Sequence, residues 1–166
     1  MIFTDEYIRS LRVGQEIKLC GHIYTGRDAA HKRMIESLPF DPRGVAIYYA
    51  GPCPAPPGHV IGSVGPTTSG RMDAYAPQLI AKGLKVMIGK GQRSQAVISA
   101  IKEHTGLYLA AVGGAGALIS KCVEEVELVA FEDLGTEAVY RLKVKNMPLV
   151  VAVDCYGGNI YEIRDI

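Results

Sequence analysis

Apolar positions change period along this chain in a way that marks out its elements. Residues 16–26, "EIKLCGHIYTG", read as strand material ending in a Thr-Gly turn. Residues 27–38, "RDAAHKRMIESL", then read as a helix, with Ala30, Met34, Ile35 and Leu38 at helical spacing and Asp28 as N-cap or first-turn acid. "VAIYYA" (45–50) is a short apolar strand. The Pro- and Gly-rich stretch 51–66 is expected to be a pinned loop, with a short strand at 59–64. A helix is expected over 73–83, starting near Asp73, with Pro77 tolerated only in its first turn. "KVMIG" (85–89) is a strand, and 94–106 is a helix capped by Ser94 and closed by Gly106. A strand at 107–112, a short helix at 115–122 and an alternating strand at 123–131 follow. The pattern ends in two strands, 138–146 and 149–154, joined by a turn at "NMP".

Strands and helices alternate through the middle, and strands dominate the end. This predicts a mixed α/β domain, with helices packed on a sheet. "LYLAAV" and "LVVAV" are apolar at every position, so both faces of those strands must be covered. The length of 166 residues suits one domain, 1–166, with one substantial core. Hydrophobic residues at 48% and charged residues at 21% argue against disorder. A net charge of +1 favours neither nucleic acid nor an anionic membrane, and no apolar run approaches the roughly 18 residues of a membrane span. The N-terminal stretch mixes charge into every turn and lacks an apolar signal core, so a cytoplasmic protein is expected. Cys20, Cys53, Cys122 and Cys155 are scattered, without a C-x-x-C pair. That spacing points to reduced thiols, mostly buried, and to no metal held by this chain alone.

Three polar segments occur where a strand or loop hands over to a helix: "TGRDAAH" (25–31), "GPTTSGRMD" (65–73) and "IGKGQRS" (88–94). Ligands of α/β folds often sit at such handovers, where helix N-terminal amides point outward. Each segment contributes a fixed cation, Arg27, Arg71 and Lys90, and the second adds the hydroxyls of Thr67, Thr68 and Ser69. Two arginines and a lysine suit a ligand with two carboxylates, because arginine grips a carboxylate through two parallel bonds while lysine acts as a movable point charge. Each segment alone also has an ordinary reading. A lone Arg at a helix start is usually solvated, "TTSG" suits turn and capping chemistry, and His31 lies where it would orient Asp28, cover the helix or face a ligand. "GKG" misses the phosphate-loop pattern, and "GGAGA" (113–117) lacks the third glycine of a dinucleotide fingerprint, so it reads as close packing or a helix start.

"TGRDAAH", "GPCPAPPG", "GPTTSGRMD", "GKG" and "AFEDLGTEAVYRLKV" occur in that order. With them the chain resembles the β subunit of two-subunit, iron–sulfur-dependent hydro-lyases, class I fumarate hydratase and L(+)-tartrate dehydratase, and the C-terminal domain of single-chain class I fumarases. The resemblance spans about Gly14 to Tyr161. It implies a swivelling β/β/α domain and a partner α subunit that holds a four-iron, four-sulfur (4Fe-4S) cluster through its own cysteines. The open iron of that cluster would act as a Lewis acid on the substrate's hydroxyl and carboxylate. It also implies reversible addition of water to a C4 dicarboxylate: fumarate to (S)-malate, or tartrate to oxaloacetate. Carried over by motif, Arg27 and Arg71 bind substrate carboxylates, Lys90 supports the same anion and Thr67 hydrogen-bonds the substrate. Thr68 would lie near the carbon that gains or loses a proton and relay that proton to an acid of the α subunit. Asp28 and His31 would support Arg27 and shape the helix start, beside Ser69, and Cys53 would serve packing. The alternative is a stand-alone module of the same fold that binds small anions without catalysis. Apolar surface left for the α subunit would let the isolated chain pair with itself.

Overall fold

The computed structural model describes residues 2–111 and 116–162, and within them the elements follow most of the expected pattern. They are α1 (Asp5–Ser10), β1 (Glu16–Thr25), α2 (Asp28–Met34), β2 (Ala46–Tyr48), α3 (Ala76–Ala81), β3 (Val86–Gly89), α4 (Gln95–His104), β4 (Leu107–Ala111), α5 (Gly116–Ser120), β5 (Val123–Ala130) and β6 (Val139–Val153). Two 3₁₀ turns, Ser69–Met72 and Glu132–Glu137, sit in the connections. No helix among the described residues is long and apolar enough to cross a membrane.

β1, β2, β3 and β4 pair in parallel in that order. β6 then runs antiparallel to β4 on one side and to β1 on the other. The five strands therefore close into a ring, and β5 adds to β6 outside it. Alternation along the strands divides the core into two. Ala46, Tyr48, Val86, Ile88, Leu107, Leu109 and Val151 share one cluster. Their neighbours Ile47, Tyr49, Met87, Tyr108, Ala152 and Val153 share the other, with Met34, Leu79, Val97 and Ile101 from α2, α3 and α4. The expectation that these strands need cover on both faces is met: one face turns toward its own ring and the other toward helices.

Several local expectations change. The two C-terminal strands are one, β6. Asn146 takes φ 53° and a bulge sits opposite Cys20, so the strand bends without a turn. β1 pairs on both sides of the bulge, from Arg141 to Val144 and from Met147 to Val150, and so carries the strand through the Asn-Met-Pro step. Residues 59–64 form no strand. Cys53 N–H donates to the Ser63 carbonyl at 2.9 Å and Gly62 N–H to the Cys53 carbonyl at 3.1 Å, so the loop bonds to itself. α3 starts at Ala76, because Asp73 is engaged elsewhere; Pro77 lies in its first turn as expected. α4 is capped by Ser94, whose hydroxyl accepts from Val97 N–H, and closes at Thr105 in the left-handed region. α1 was hidden by its charge-rich pattern, since Ile8 is its one buried residue; Thr4 caps it by accepting from Tyr7 N–H. The cysteines are less buried than expected: Cys155 is buried, Cys122 is half-buried, and Cys20 and Cys53 are exposed, the latter on the loop it was expected to pack. The reading of 113–117 falls mostly outside the described residues.

Candidate functional site

Parallel pairing brings the three polar segments together. Thr25 of β1 lies opposite Tyr48 of β2, and Tyr48 lies opposite Ile88 of β3. Three adjacent strands thus end side by side, and all three loops leave from their carboxyl ends. That edge is where open parallel sheets place ligands. Backbone bonds continue the alignment past the strands. Gly26 N–H donates to the Tyr48 carbonyl at 3.0 Å, Thr67 N–H to the Tyr49 carbonyl at 2.6 Å and Ser69 N–H to the Lys90 carbonyl at 2.8 Å. Thr68 and Lys90 form an isolated parallel bridge.

Side chains link the first segment to the second. Arg71 Nε donates to Asp28 Oδ2 at 3.1 Å, and both groups are partly exposed. Asp28 therefore holds Arg71, and not its neighbour Arg27 as expected. Arg27 is the N-cap residue of α2 in extended conformation, and its carbonyl accepts from His31 N–H at 2.9 Å and lies 2.8 Å from His31 Nδ1. Gly51 leaves space for the Arg27 side chain, since a Cβ there would lie 3.1 Å from Arg27 Cδ and 3.0 Å from the Thr136 carbonyl. Arg27 Nε and Asp28 Oδ1 are buried with no hydrogen-bond partner. Among the described residues, the Arg27 guanidinium, the terminal nitrogens of Arg71 and the Lys90 ammonium make no hydrogen bond or ion pair. Thr68 and Lys90 are exposed and Thr67 is half-buried. The three segments thus bring three cation-bearing and two threonine positions to one rim of the sheet, with the Asp28 carboxylate paired to Arg71.

Beneath the rim is a buried polar floor. Arg93 is 6% exposed; its Nε donates to Asp73 Oδ1 at 2.7 Å and its Nη2 to the Tyr49 hydroxyl at 3.1 Å. Its guanidinium also stacks over the rings of Tyr49 and Tyr108. Asp73 Oδ2 accepts from Ser94 N–H at 2.7 Å, which ties the end of the second segment to the start of α4. Ser69 is buried, 2.7 Å from the Tyr108 hydroxyl. Gly89 permits this approach, because a Cβ there would sit 2.0 Å from Ser69 Oγ. Burial pushes the Tyr49 and Tyr108 phenols up, so both stay protonated. Burial pulls His31 down to about 4, against its bond to the Arg27 carbonyl, so the imidazole is neutral near pH 7. It packs edge-on against Tyr49.

All eight residues singled out from the sequence lie in or beside this cluster, and the segment reading missed two: Arg93 and Asp73. Their signal was present, as an arginine directly before the N-cap Ser94 and an acid closing "GPTTSGRMD". An arginine at a helix start is ordinarily solvated, and Asp73 reads from the sequence as the start of a helix, so neither signal points to a buried pair. Among the described residues no group of three or more His, Cys, Asp or Glu is placed to hold a metal, and the four cysteines are separate free thiols. The donors present do not make a ligand set for an iron–sulfur cluster.

Comparison with known proteins agrees with the geometry. The model of the family described as "Fumarase C-terminus" matches residues 2–164. The aerobic class I fumarate hydratase of Escherichia coli (strain K12) is 39% identical over 158 residues, covering 90% of this chain and 29% of that protein. Fumarate hydratase 2 of Leishmania major is 40% identical over 158 residues, 90% of this chain and 28% of that protein. This chain thus spans under a third of the fumarate hydratases it matches. A Methanocaldococcus jannaschii protein, provisionally named L(+)-tartrate dehydratase subunit beta, is 39% identical over 171 residues, 96% of this chain and 88% of that protein. Loop motifs, strand-end geometry and full-length match converge: the chain belongs to the fumarase C-terminus family, among hydro-lyase relatives.

Proposed function

We propose that this chain is a single-domain β subunit, of the swivelling β/β/α type, in a cytoplasmic hydro-lyase acting on a C4 dicarboxylate. The reaction is reversible hydration of fumarate to (S)-malate or dehydration of tartrate to oxaloacetate. The naming of the Methanocaldococcus jannaschii relative as a beta subunit, matched over 88% of its length, supports a division between two chains. The cluster belongs to the α subunit in this reading, and without that subunit the chain is inactive.

The observation that carries the proposal is the joining of three loops on one rim, by the Arg71–Asp28 pair and the Thr68–Lys90 bridge. Arg27 and Arg71 bind the two carboxylate ends, and Lys90 adds a point charge to the same anion. The unpartnered Arg27 Nε supports this role, because a buried donor left unpaired is costly and a carboxylate oxygen would satisfy it. Thr67 hydrogen-bonds the substrate. Thr68 lies near the carbon that gives up its proton in dehydration, while hydroxide leaves the adjacent carbon. A threonine hydroxyl is a poor base alone, so Thr68 passes the proton to a carboxylate of the α subunit.

The test is co-purification with a cluster-bearing α subunit, reconstitution with iron and sulfide without oxygen, and assay with fumarate and with tartrate. Turnover of either substrate only when both chains are present is the expected result. A reconstituted complex that turns over neither substrate, while the chain alone still binds small dicarboxylates, would identify a binding module instead.

A further inference from the structure

We propose that Tyr108 and Ser69 are positioning residues that fix the distance between Thr68 and Lys90. Tyr108 is the second residue of β4, fully buried, on the face that meets the helices. Its hydroxyl lies 2.7 Å from Ser69 Oγ and 2.8 Å from the Gly91 carbonyl. A phenol has one hydrogen to donate. Tyr108 therefore donates to the Gly91 carbonyl while the Ser69 hydroxyl donates to Tyr108. That chain joins the residue after Thr68 to the residue after Lys90. A second connection runs parallel to it, from Ser69 N–H to the Lys90 carbonyl at 2.8 Å. On the other side of Gly91, its N–H donates to the Tyr161 hydroxyl at 3.1 Å.

The surroundings leave the strut little freedom. Gly89 has no Cβ where Ser69 Oγ sits, so the serine occupies a slot that a larger residue at 89 would fill. The Arg93 guanidinium, tied to Asp73, lies 4.8 Å from the centre of the Tyr108 ring. Gly91 adopts φ +86°, a conformation open to glycine, which lets its carbonyl face the phenol. Nothing in this arrangement touches the proposed substrate. It acts by holding Thr68 and Lys90 in one register, and a small misplacement of reacting groups is expensive in rate. The catalytic consequence rests on the function proposed above; the strut itself does not.

The test uses Tyr108→Phe, which keeps the ring and removes the hydroxyl, alongside Ser69→Ala and the double variant. In the full chain, hydrogen–deuterium exchange of the Ser69 amide is expected to quicken about tenfold in Tyr108→Phe, with the amides of β3 and α4 unchanged. In the reconstituted complex, each single variant is expected to lower kcat by about tenfold or more, with a smaller change in KM, and the double variant to lose no more than either single one. A residue that only added stability would lower the melting temperature and leave that split and that non-additivity absent. Wild-type exchange at Ser69 in Tyr108→Phe, wild-type kinetics in an active complex, or losses that add in the double variant would each overturn the proposal. If the wild-type complex turns over neither substrate, the functional reading falls, and the exchange comparison still decides whether Tyr108 holds the two loops.

Discussion

Arg93 and Arg71 each pair with an aspartate, on loops of the same edge, but their side chains are 0% and 52% exposed. The Arg93 pair is enclosed by aromatic rings, and each guanidinium nitrogen of Arg93 donates to the protein. The Arg71 pair uses one nitrogen and leaves the rest of the guanidinium to solvent. A buried pair is costly to break from one side, because the remaining charge has no water. An exposed pair is worth little to the fold, since water and salt compete with it. Stability is thus concentrated in the floor, and groups free to bind are concentrated in the rim. Residues of both kinds stand within a few positions of each other in the same motifs.

The sharpest break of that contrast is a matched pair of substitutions. Arg93→Ala is expected to destabilise the chain by about 3–5 kcal/mol, measured by denaturant unfolding. Thr68→Ala should change stability by no more than about 0.5 kcal/mol and leave assembly with the α subunit intact, while lowering kcat about 100-fold or more. Equal stability losses in the two variants would abolish the distinction between floor and rim.

His31 belongs to the floor and provides a pH test. Its pKa is near 6.5 unfolded and about 4 folded, so between those values the unfolded chain binds a proton that the native chain refuses. Its contribution is complete above about pH 6.5 and is lost as pH falls toward 4, on the order of 3 kcal/mol in total. His31→Gln should flatten that part of the stability–pH curve; an unchanged slope would contradict the burial reading. Gly89→Ala is expected to cost a further, smaller amount, about 1–3 kcal/mol, by driving a methyl into Ser69 and Tyr49. The smallest stability effect belongs to Arg71→Lys, within about 0.5 kcal/mol. Its KM for the dicarboxylate should nevertheless rise about tenfold, because a point charge cannot replace a planar fork. An unchanged KM would remove Arg71 from the binding set.

Much of this was legible before any coordinates. Hydrophobic periodicity located β1, β3, α4 and β5 closely, because each has a local apolar pattern and a recognisable end; α2 starts as expected but stops at Met34, short of Leu38. The three polar segments, and Arg27, Thr67, Thr68, Arg71 and Lys90 within them, stood out as cations and hydroxyls at handovers. α1 escaped because one buried residue makes no period. Arg93 escaped because burial of a charge depends on partners far along the chain, in its case Tyr49 and Asp73.

By itself, then, the sequence determined most of the strands and helices, where the three polar loops fall and which donors they carry, since propensity, spacing and side-chain chemistry are properties of neighbours. Only the tertiary structure decided that β6 passes unbroken through Asn146 and Pro148 to close the ring, that Asp28 pairs with Arg71, and that one arginine of the third loop turns inward while its lysine stays out. Those outcomes depend on which strands pair and on contacts between residues far apart in the chain, and short-range pattern alone does not fix either.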